Sequence, residues 1–171
     1  MTKFDFEDGN GPVPAHRHSN GGGWVADTAE VADTAYVGAH AKVFGNACVS
    51  GNAQVIHDAQ VYGNAKVCDK AEVFGYAKVS GNAWVSDYAR VFGDVWVFGN
   101  AWVYGNAKVS DYARVCDDAW VSGNARVHEN AYVGYAARVF GNAEVSGNNP
   151  SIVITDKDRI FINGKWYEEV E

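Results

Sequence analysis

Residue types that can bind or react recur in this chain at one constant interval. One series is His40, Asp58, Tyr76, Asp94 and Tyr112, with His57 and Asp111 directly before two of its members. Two positions after the last three members come Lys78, Trp96 and Arg114. Aromatic and cationic groups beside acids suit a polar ligand with a flat apolar part, or a charged protein surface, because stacking and charge-assisted hydrogen bonds act together. The alternative is neutral drift at solvated positions.

Tryptophan follows the same interval. Trp84, Trp102 and Trp120 are equally spaced along the chain, with Tyr104 beside them and Arg138 at the next interval. Three exposed indoles in a stack form an apolar stripe, which is typical of a subunit interface. A stacking platform for sugars or nucleobases and simple stabilisation of the fold are the alternatives. A further apolar series, Ile56, Phe74 and Phe92, indicates more than one buried surface.

Motifs for metal binding or nucleophilic catalysis are weak. His16 and His18 lie near acidic residues, but they belong to a segment rich in glycine and proline, which is not expected to hold the ligand geometry of a metal. Cys68 and Cys116 follow valines and are expected to face outward and to pack rather than react. The sequence therefore predicts no metal and no cofactor.

The residues that position these groups form a six-residue repeat. Valine occupies every sixth position from Val25 to Val145, 21 times in all, and alanine follows four residues later in 19 hexads. Alanine and the next valine are two residues apart, so they face the same side of a strand, and the residues flanking valine face the other. The pair between them is most often Gly-Asn, which suits a sharp corner. Strands this short cannot bury their apolar face alone, so we expect coils that stack.

The uninterrupted repeat resembles the left-handed parallel β-helix of hexapeptide-repeat proteins. This resemblance implies an all-β, single-stranded β-helix of about seven triangular coils, each made of three hexads. It alone implies the left hand, because physics favours right-handed crossovers. The tryptophan interval equals three hexads and so favours 18-residue coils over 12-residue ones. HRHSNGGGWVADTAEV (16–31) and IVITDKDRIFING (152–164) look like the flanking segments of uncharacterised hexapeptide-repeat proteins from bacteriophages and prophages.

Three segments are expected along the chain. Residues 1–24 form an N-terminal cap over the open strand edge of the first coil, residues 25–149 form the β-helix, and residues 150–171 form a short C-terminal β-meander cap. The meander consists of Ile152–Thr155, Arg159–Ile162 and Trp166–Val170, with a turn at Asn163-Gly164 before the last strand.

Composition narrows the class of protein. Fourteen basic and 21 acidic residues give a formal net charge of −7, which favours solubility and gives no reason to expect nucleic acid as a partner. The first residues lack the pattern of a signal peptide, and no apolar stretch approaches the length of about 20 residues that a membrane span needs. Three scattered cysteines fit reduced thiols. A soluble protein of the cytoplasm, without a membrane partner, is expected.

The patterns predict a non-catalytic protein that binds a partner protein or a small ligand along its outer edges, and the resemblance to phage and prophage proteins implies that it is of such origin and that the partner is a host protein. It acts in the cytoplasm of the bacterial host, for example by sequestering a host molecule or inhibiting host machinery, or it is associated with the virion. The family resemblance favours a homotrimer. The predicted binding residues are His40, His57, Asp58, Tyr76, Lys78, Asp94, Trp96, Asp111, Tyr112 and Arg114. The predicted interface residues are Trp84, Trp102, Tyr104, Trp120 and Arg138.

Two alternatives stay open. Many proteins of the hexapeptide-repeat superfamily are acyl-CoA-dependent acyltransferases with a histidine general base between subunits of a trimer, and the resemblance makes His40, His57 and His128 the candidates. Such enzymes resemble one another in a loop extruded from the coils and a distinct C-terminal acyl-CoA region. In this sequence no coil is interrupted and a short predicted meander follows the repeat, which argues against this alternative. The other alternative is a structural component of a phage particle.

Overall fold

The six-residue repeat forms one short strand in every hexad. The computed structural model describes residues 2–147 and the strand segments 153–154, 159–162 and 165–168. Each valine of the repeat is the second residue of its strand, between two outward residues, and most of these strands are two residues long. The strands alternate with corners, as the Gly-Asn pairs predict.

The strands have the following bounds: β1 (Lys3–Phe4), β2 (Val13–Arg17), β3 (Trp24–Ala26), β4 (Glu30–Val31), β5 (Tyr36–Val37), β6 (Lys42–Val43), β7 (Cys48–Val49), β8 (Gln54–Val55), β9 (Gln60–Val61), β10 (Lys66–Val67), β11 (Glu72–Gly75), β12 (Lys78–Val79), β13 (Trp84–Val85), β14 (Arg90–Gly93), β15 (Trp96–Val97), β16 (Trp102–Val103), β17 (Lys108–Val109), β18 (Arg114–Val115), β19 (Trp120–Val121), β20 (Arg126–Val127), β21 (Tyr132–Val133), β22 (Arg138–Val139), β23 (Glu144–Val145), β24 (Val153–Ile154), β25 (Arg159–Ile162) and β26 (Lys165–Glu168).

Three successive strands make one coil, and each strand from β3 to β20 pairs in parallel with the third strand after it along the chain. Val103, for example, lies between Val85 and Val121. The 21 strands from β3 to β23 form three faces: the first runs from β3 to β21, the second from β4 to β22 and the third from β5 to β23, each taking every third strand. The predicted β-solenoid of about seven coils, each of three hexads, is therefore confirmed, and the described residues contain no helix. The left hand stays a prediction from the resemblance.

The interior consists of the valines and alanines of the repeat. Twenty of the 21 valines are at most 2% exposed, and Val95, which takes the place of an alanine, is also fully buried. Val31 is the exception and is only partly buried. The inward assignment of the repeat is confirmed, because the residues with a fixed identity are the ones that fill the narrow interior.

The corners have their own inter-coil contacts. Gly99 has a φ of 72°, and a Cβ there would lie 2.7 Å from the backbone nitrogen of Asp117 in the next coil. Beside it, the Asn82 amide donates to Asn100 and the Asn100 amide donates to Asp118, both at 2.9 Å. These contacts explain why Gly-Asn is the default pair: glycine permits the stacking, and asparagine forms a hydrogen-bonded ladder.

The N-terminal residues extend the solenoid at its first coil. β1 pairs antiparallel with β2, and β2 pairs antiparallel with β3 on the first face. The loop after β2 reaches the third face, where the Val37 amide donates to the Asn20 carbonyl at 3.0 Å. The first and third faces are thus covered at this end. On the second face, no strand of the described residues pairs with the outer edge of β4, and Val31 lies there.

The three C-terminal strands form a separate antiparallel sheet in the order β24, β25, β26. β25 has the predicted bounds, β24 lies within the predicted strand Ile152–Thr155, and β26 overlaps the predicted strand Trp166–Val170. The predicted turn at 163–164 lies outside the described residues. A role of this meander as a cap stays a prediction.

Candidate binding surfaces

The corner between the third and first faces carries the residues predicted to bind, and we call this corner the variant edge. Its members are His40, His57, Asp58, Tyr76, Asp94, Asp111 and Tyr112. Backbone hydrogen bonds stack them coil on coil: the Asp58 amide donates to Gly75 at 3.0 Å, and the Tyr76 amide donates to Gly93 at 2.9 Å. The register between coils therefore places these residues on one edge of the solenoid.

The first residue of each corner pair serves the scaffold. His57 and Asp111 have φ values of 58° and 63°, the left-handed region that glycine occupies elsewhere. The Gly75 amide donates to His57 Nδ1 at 3.4 Å, and the Glu129 amide donates to Asp111 Oδ2 at 3.0 Å. Asp117 does the same for the Tyr135 amide at 2.8 Å on another corner. Because a carboxylate or imidazole here satisfies an amide of the next coil, His57 and Asp111 have a structural role that their residue types alone do not reveal.

The second residue of each pair projects into solvent. His40, Asp58 and Asp94 are exposed. Tyr76 and Tyr112 are each 62% exposed, among the largest values for aromatic residues in the described part of the chain. These residues are available to a ligand or partner. His57 and Asp111, which precede two of them, are exposed as well but are engaged in hydrogen bonds to the next coil.

An indole between two cations lies next to the variant edge on the first face. Lys78, Trp96 and Arg114 are in register on β12, β15 and β18. Lys78 Nζ lies 5.2 Å and the Arg114 guanidinium carbon lies 5.4 Å from the centre of the Trp96 ring system, and Trp96 is 44% exposed. The attraction of each cation to the indole holds all three side chains in place.

Two columns of outward residues thus form one surface, which we call the variant-edge patch. It comprises Tyr76, Lys78, Asp94, Trp96, Tyr112 and Arg114. Each corner residue and its companion on the first face are two residues apart in the same strand region, so they project to the same side. Because cations lie against the Trp96 ring system, the patch presents to solvent the exposed rim of the indole, the two cationic heads and the tyrosine rings.

The column above the patch is closed by an internal contact. Tyr132 is in register with Arg114, and its hydroxyl forms a hydrogen bond with Cys116 Sγ at 3.0 Å. This hydrogen bond and burial raise the pKa of Tyr132, and burial raises the pKa of the Cys116 thiol. Cys116 follows an inward valine but is nonetheless 1% exposed. The expectation that it packs rather than reacts agrees with this position.

The predicted tryptophan stack lies on the second face. Trp84, Trp102 and Trp120 are in register, with ring centroids 5.1 Å and 5.4 Å apart. Trp102 is 39% exposed, and the other two indoles are half-buried. Tyr104 packs edge-on against Trp120 at 6.4 Å.

Cations close the tryptophan stack at both ends. The Arg138 guanidinium carbon lies 4.9 Å from the centre of Trp120, and Lys66 Nζ lies 5.2 Å from that of Trp84. Arg138 is predicted from the sequence, whereas Lys66 is not, although Lys66 precedes Trp84 by the same interval. The stack therefore presents one apolar stripe of fixed length with a positive charge at each end.

The three candidate histidines are not brought together. His40 and His57 belong to neighbouring corners of the variant edge, whereas His128 lies on the third face about four coils away from His57. His128 Nε2 lies 2.9 Å from Glu144 Oε1. A histidine held by a carboxylate can act as a general base when a substrate proton is within reach.

The N-terminal histidines are also separated. His16 Nδ1 lies 2.9 Å from Asp27 Oδ1, while His18 is buried and lies 3.1 Å from the Ala35 carbonyl oxygen. Within the described residues, no group of three or more histidine, cysteine or acidic side chains is arranged to hold a metal. The same residues contain no helix that is long and apolar enough to cross a membrane.

Comparison with known proteins supports the repeat architecture. A family model described as the YdcK beta solenoid repeat matches residues 113–129, about one coil, which contains β18, β19 and β20. No curated protein and no solved structure matches the chain. The matched coil and the observed fold together identify a β-solenoid repeat protein.

Proposed function

We propose that the chain is a non-catalytic, oligomeric binding protein of the hexapeptide-repeat superfamily, of phage or prophage origin, whose variant-edge patch binds a host protein or a small ligand. Its place of action is the cytoplasm of the bacterial host, where it sequesters a host molecule or inhibits host machinery; association with the virion is the other location proposed. The observation that carries the proposal is the indole of Trp96, exposed while held between Lys78 and Arg114.

The chemistry of the variant-edge patch defines what it binds. Desolvated Arg and Trp side chains are the residues that most often anchor interfaces, and here both are already ordered by their mutual contact. Ordering before binding reduces the entropic cost of association. Asp94 beside Trp96 adds a negative charge, so a partner with both cationic and anionic groups around a flat apolar part is favoured.

The tryptophan stack supports oligomerisation through a different face. A contiguous apolar stripe of three indoles on the second face fits a subunit contact, and the cations at its ends remain at the rim. The patch on the first face then stays open in the oligomer. A trimer is proposed because hexapeptide-repeat proteins resemble this chain.

The test compares matched variants on an affinity column. Wild type, Trp96→Ala and Asn100→Ala are immobilised and exposed to a soluble extract of a bacterial host and to its small-molecule fraction, and retained species are identified by mass spectrometry. We expect a species that wild type and Asn100→Ala retain and Trp96→Ala loses. Asn100 is the control because it lies on another corner. Identical profiles for all three proteins would refute the proposal.

The acyltransferase is the second candidate, and the contact between His128 and Glu144 is the observation that favours it. Its test is calorimetry with acetyl-CoA. We expect no binding, because a dedicated acyl-CoA region is not recognisable in the repeat. A micromolar dissociation constant that is lost in His128→Ala would make this candidate the function.

A further inference from the structure

A groove on the third face has a chemistry that neither the variant-edge patch nor the tryptophan stack uses. The groove is open, has a volume of about 370 Å³ and is lined by Phe92, Lys108, Ser110, Asp111, Arg126, His128 and Glu144. This volume lies at the lower end of the range for small-molecule sites, roughly 300–1,000 Å³.

The floor of the groove is the end of an aromatic stack. Phe74 and Phe92 are in register and lie parallel, with centroids 4.9 Å apart and an interplanar angle of 3°. Ser110 and His128 follow at the same outward position in the next two coils. Because serine is small, the coil above Phe92 has no aromatic ring at this position, and we call this position the vacant rung. Phe92 and His128 are two coils apart, so at a strand spacing of ~4.8 Å the gap between their rings has room for about one aromatic ring.

The wall of the groove carries two cations, Lys108 and Arg126. Arg90, Lys108 and Arg126 are in register on adjacent coils. Arg90 pairs with Glu72 at 2.8 Å, but within residues 2–147 neither Lys108 nor Arg126 has an ion pair. Like charges on neighbouring strands are destabilising, so an anion that bridges them is favoured.

The acids that line the groove are already engaged. Asp111 accepts hydrogen bonds from the Glu129 amide at 3.0 Å and from the Ser110 hydroxyl at 3.2 Å, and Glu144 lies 2.9 Å from His128. Glu144, which is in register with Arg126 on the next coil, is held by His128, so Lys108 and Arg126 are the strongest electrostatic feature that the described residues offer a ligand, in a chain whose formal net charge is −7.

One coil below the groove, the same face already contains a cation packed against aromatic rings. The Arg90 guanidinium carbon lies 5.3 Å from the centre of Phe74 and 5.9 Å from that of Phe92. Lys108 and Arg126 occupy equivalent positions beside the rung that lacks a ring. A ligand ring on this rung would stack on Phe92 and lie beside these cations, as Phe92 itself does beside Arg90.

We propose that the groove between Phe92 and His128 is a binding site for a planar aromatic anion, whose ring fills the rung above Ser110 and whose phosphate or carboxylate bridges Lys108 and Arg126. The site is independent of the variant-edge patch, because it lies on another face and shares no residue with that patch. It does share His128 and Glu144 with the acyltransferase candidate.

The test is an NMR titration with phenyl phosphate, with inorganic phosphate and phenol as separate probes. Wild type is expected to bind phenyl phosphate saturably and at least about tenfold more tightly than either fragment, with the largest shifts in the coils of Ser110 and Arg126. No saturable binding of phenyl phosphate, or equal binding of inorganic phosphate, would overturn the site.

Two kinds of variant separate the contributions of ring and charge. Ser110→Phe fills the vacant rung and is expected to abolish binding while the chain stays folded, and Arg126→Gln is expected to weaken binding by about tenfold. Should Ser110→Phe fail to fold, Arg126→Gln decides, and unchanged affinity in it contradicts the proposal. The matched control is Ser80→Phe on the first face. Ser80 also follows a stacked aromatic pair, Phe44 and Tyr62, but the cation next to Ser80, Lys78, already contacts Trp96. Loss of binding in Ser80→Phe equal to that in Ser110→Phe would also overturn the site.

Discussion

Val103→Ala tests the assignment of the inward residues quantitatively. Val103 is 0% exposed and lies in register between Val85 and Val121. Loss of two methylene equivalents at ~0.8 kcal/mol each lowers the free energy of unfolding by about 1.6 kcal/mol. The coils above and below are fixed by backbone hydrogen bonds and cannot collapse into the cavity, which adds about 1 kcal/mol. The expected loss is therefore about 2.5 kcal/mol.

The assay is urea unfolding followed by circular dichroism, with Gln54→Ala as the control. Gln54 precedes a valine of the repeat and faces solvent, so its removal is expected to change stability by less than about 0.5 kcal/mol. The slope of free energy against urea is expected to stay constant in both variants. A loss below about 0.5 kcal/mol for Val103→Ala, or an equal loss for Gln54→Ala, would contradict the inward assignment.

Two further predictions concern assembly and the thiols. Light scattering of the wild-type chain is expected to give three times the chain mass of 18.5 kDa. Trp102→Asp puts a charge in the middle of the tryptophan stack and is expected to give the monomer mass. A wild-type monomer at micromolar concentration would contradict the interface. Burial raises the pKa of the Cys68 and Cys116 thiols, so less thiolate forms in the folded chain, and iodoacetamide at pH 8 should react more slowly than in urea. Because these thiols ionise at a lower pH in the unfolded chain than in the folded one, the free energy of unfolding is expected to fall as the pH rises above the ordinary thiol pKa. Equal alkylation rates in the folded and unfolded chain would contradict the burial and this pH dependence.

The sequence predicts the scaffold well because the scaffold depends on local rules. Strand and corner are set within one hexad, and the uninterrupted period fixes which residue faces inward. The common interval of Trp84, Trp102 and Trp120 then predicts the coil length, and the observed register agrees. The incomplete cover of β4 at the first coil was not predictable, since it depends on the path of residues 18–23 between the faces.

The surfaces are harder to predict because their side chains respond to neighbours one coil away. Asp111 and His57 are predicted by residue type to bind a ligand, and the structure adds that a positive φ turns each toward an amide of the next coil. Cys116 is outward by alternation and yet buried, because packing and its hydrogen bond to Tyr132 enclose it. The interval identifies which residues are neighbours, whereas the side-chain conformation decides which of them remain available.

Hydroxyl-radical footprinting of the assembled protein tests most directly the claim that one face assembles the oligomer while another stays open to bind. Oxidation of Trp102 and Trp96 is quantified by mass spectrometry in the wild type and in a monomeric variant such as Tyr104→Asp. The two indoles are exposed to a similar extent in the single chain, 39% and 44%. We predict that assembly protects Trp102 strongly and leaves the oxidation rate of Trp96 unchanged. Protection of Trp96 with free oxidation of Trp102 would show that the roles of the two faces are reversed and would contradict the account.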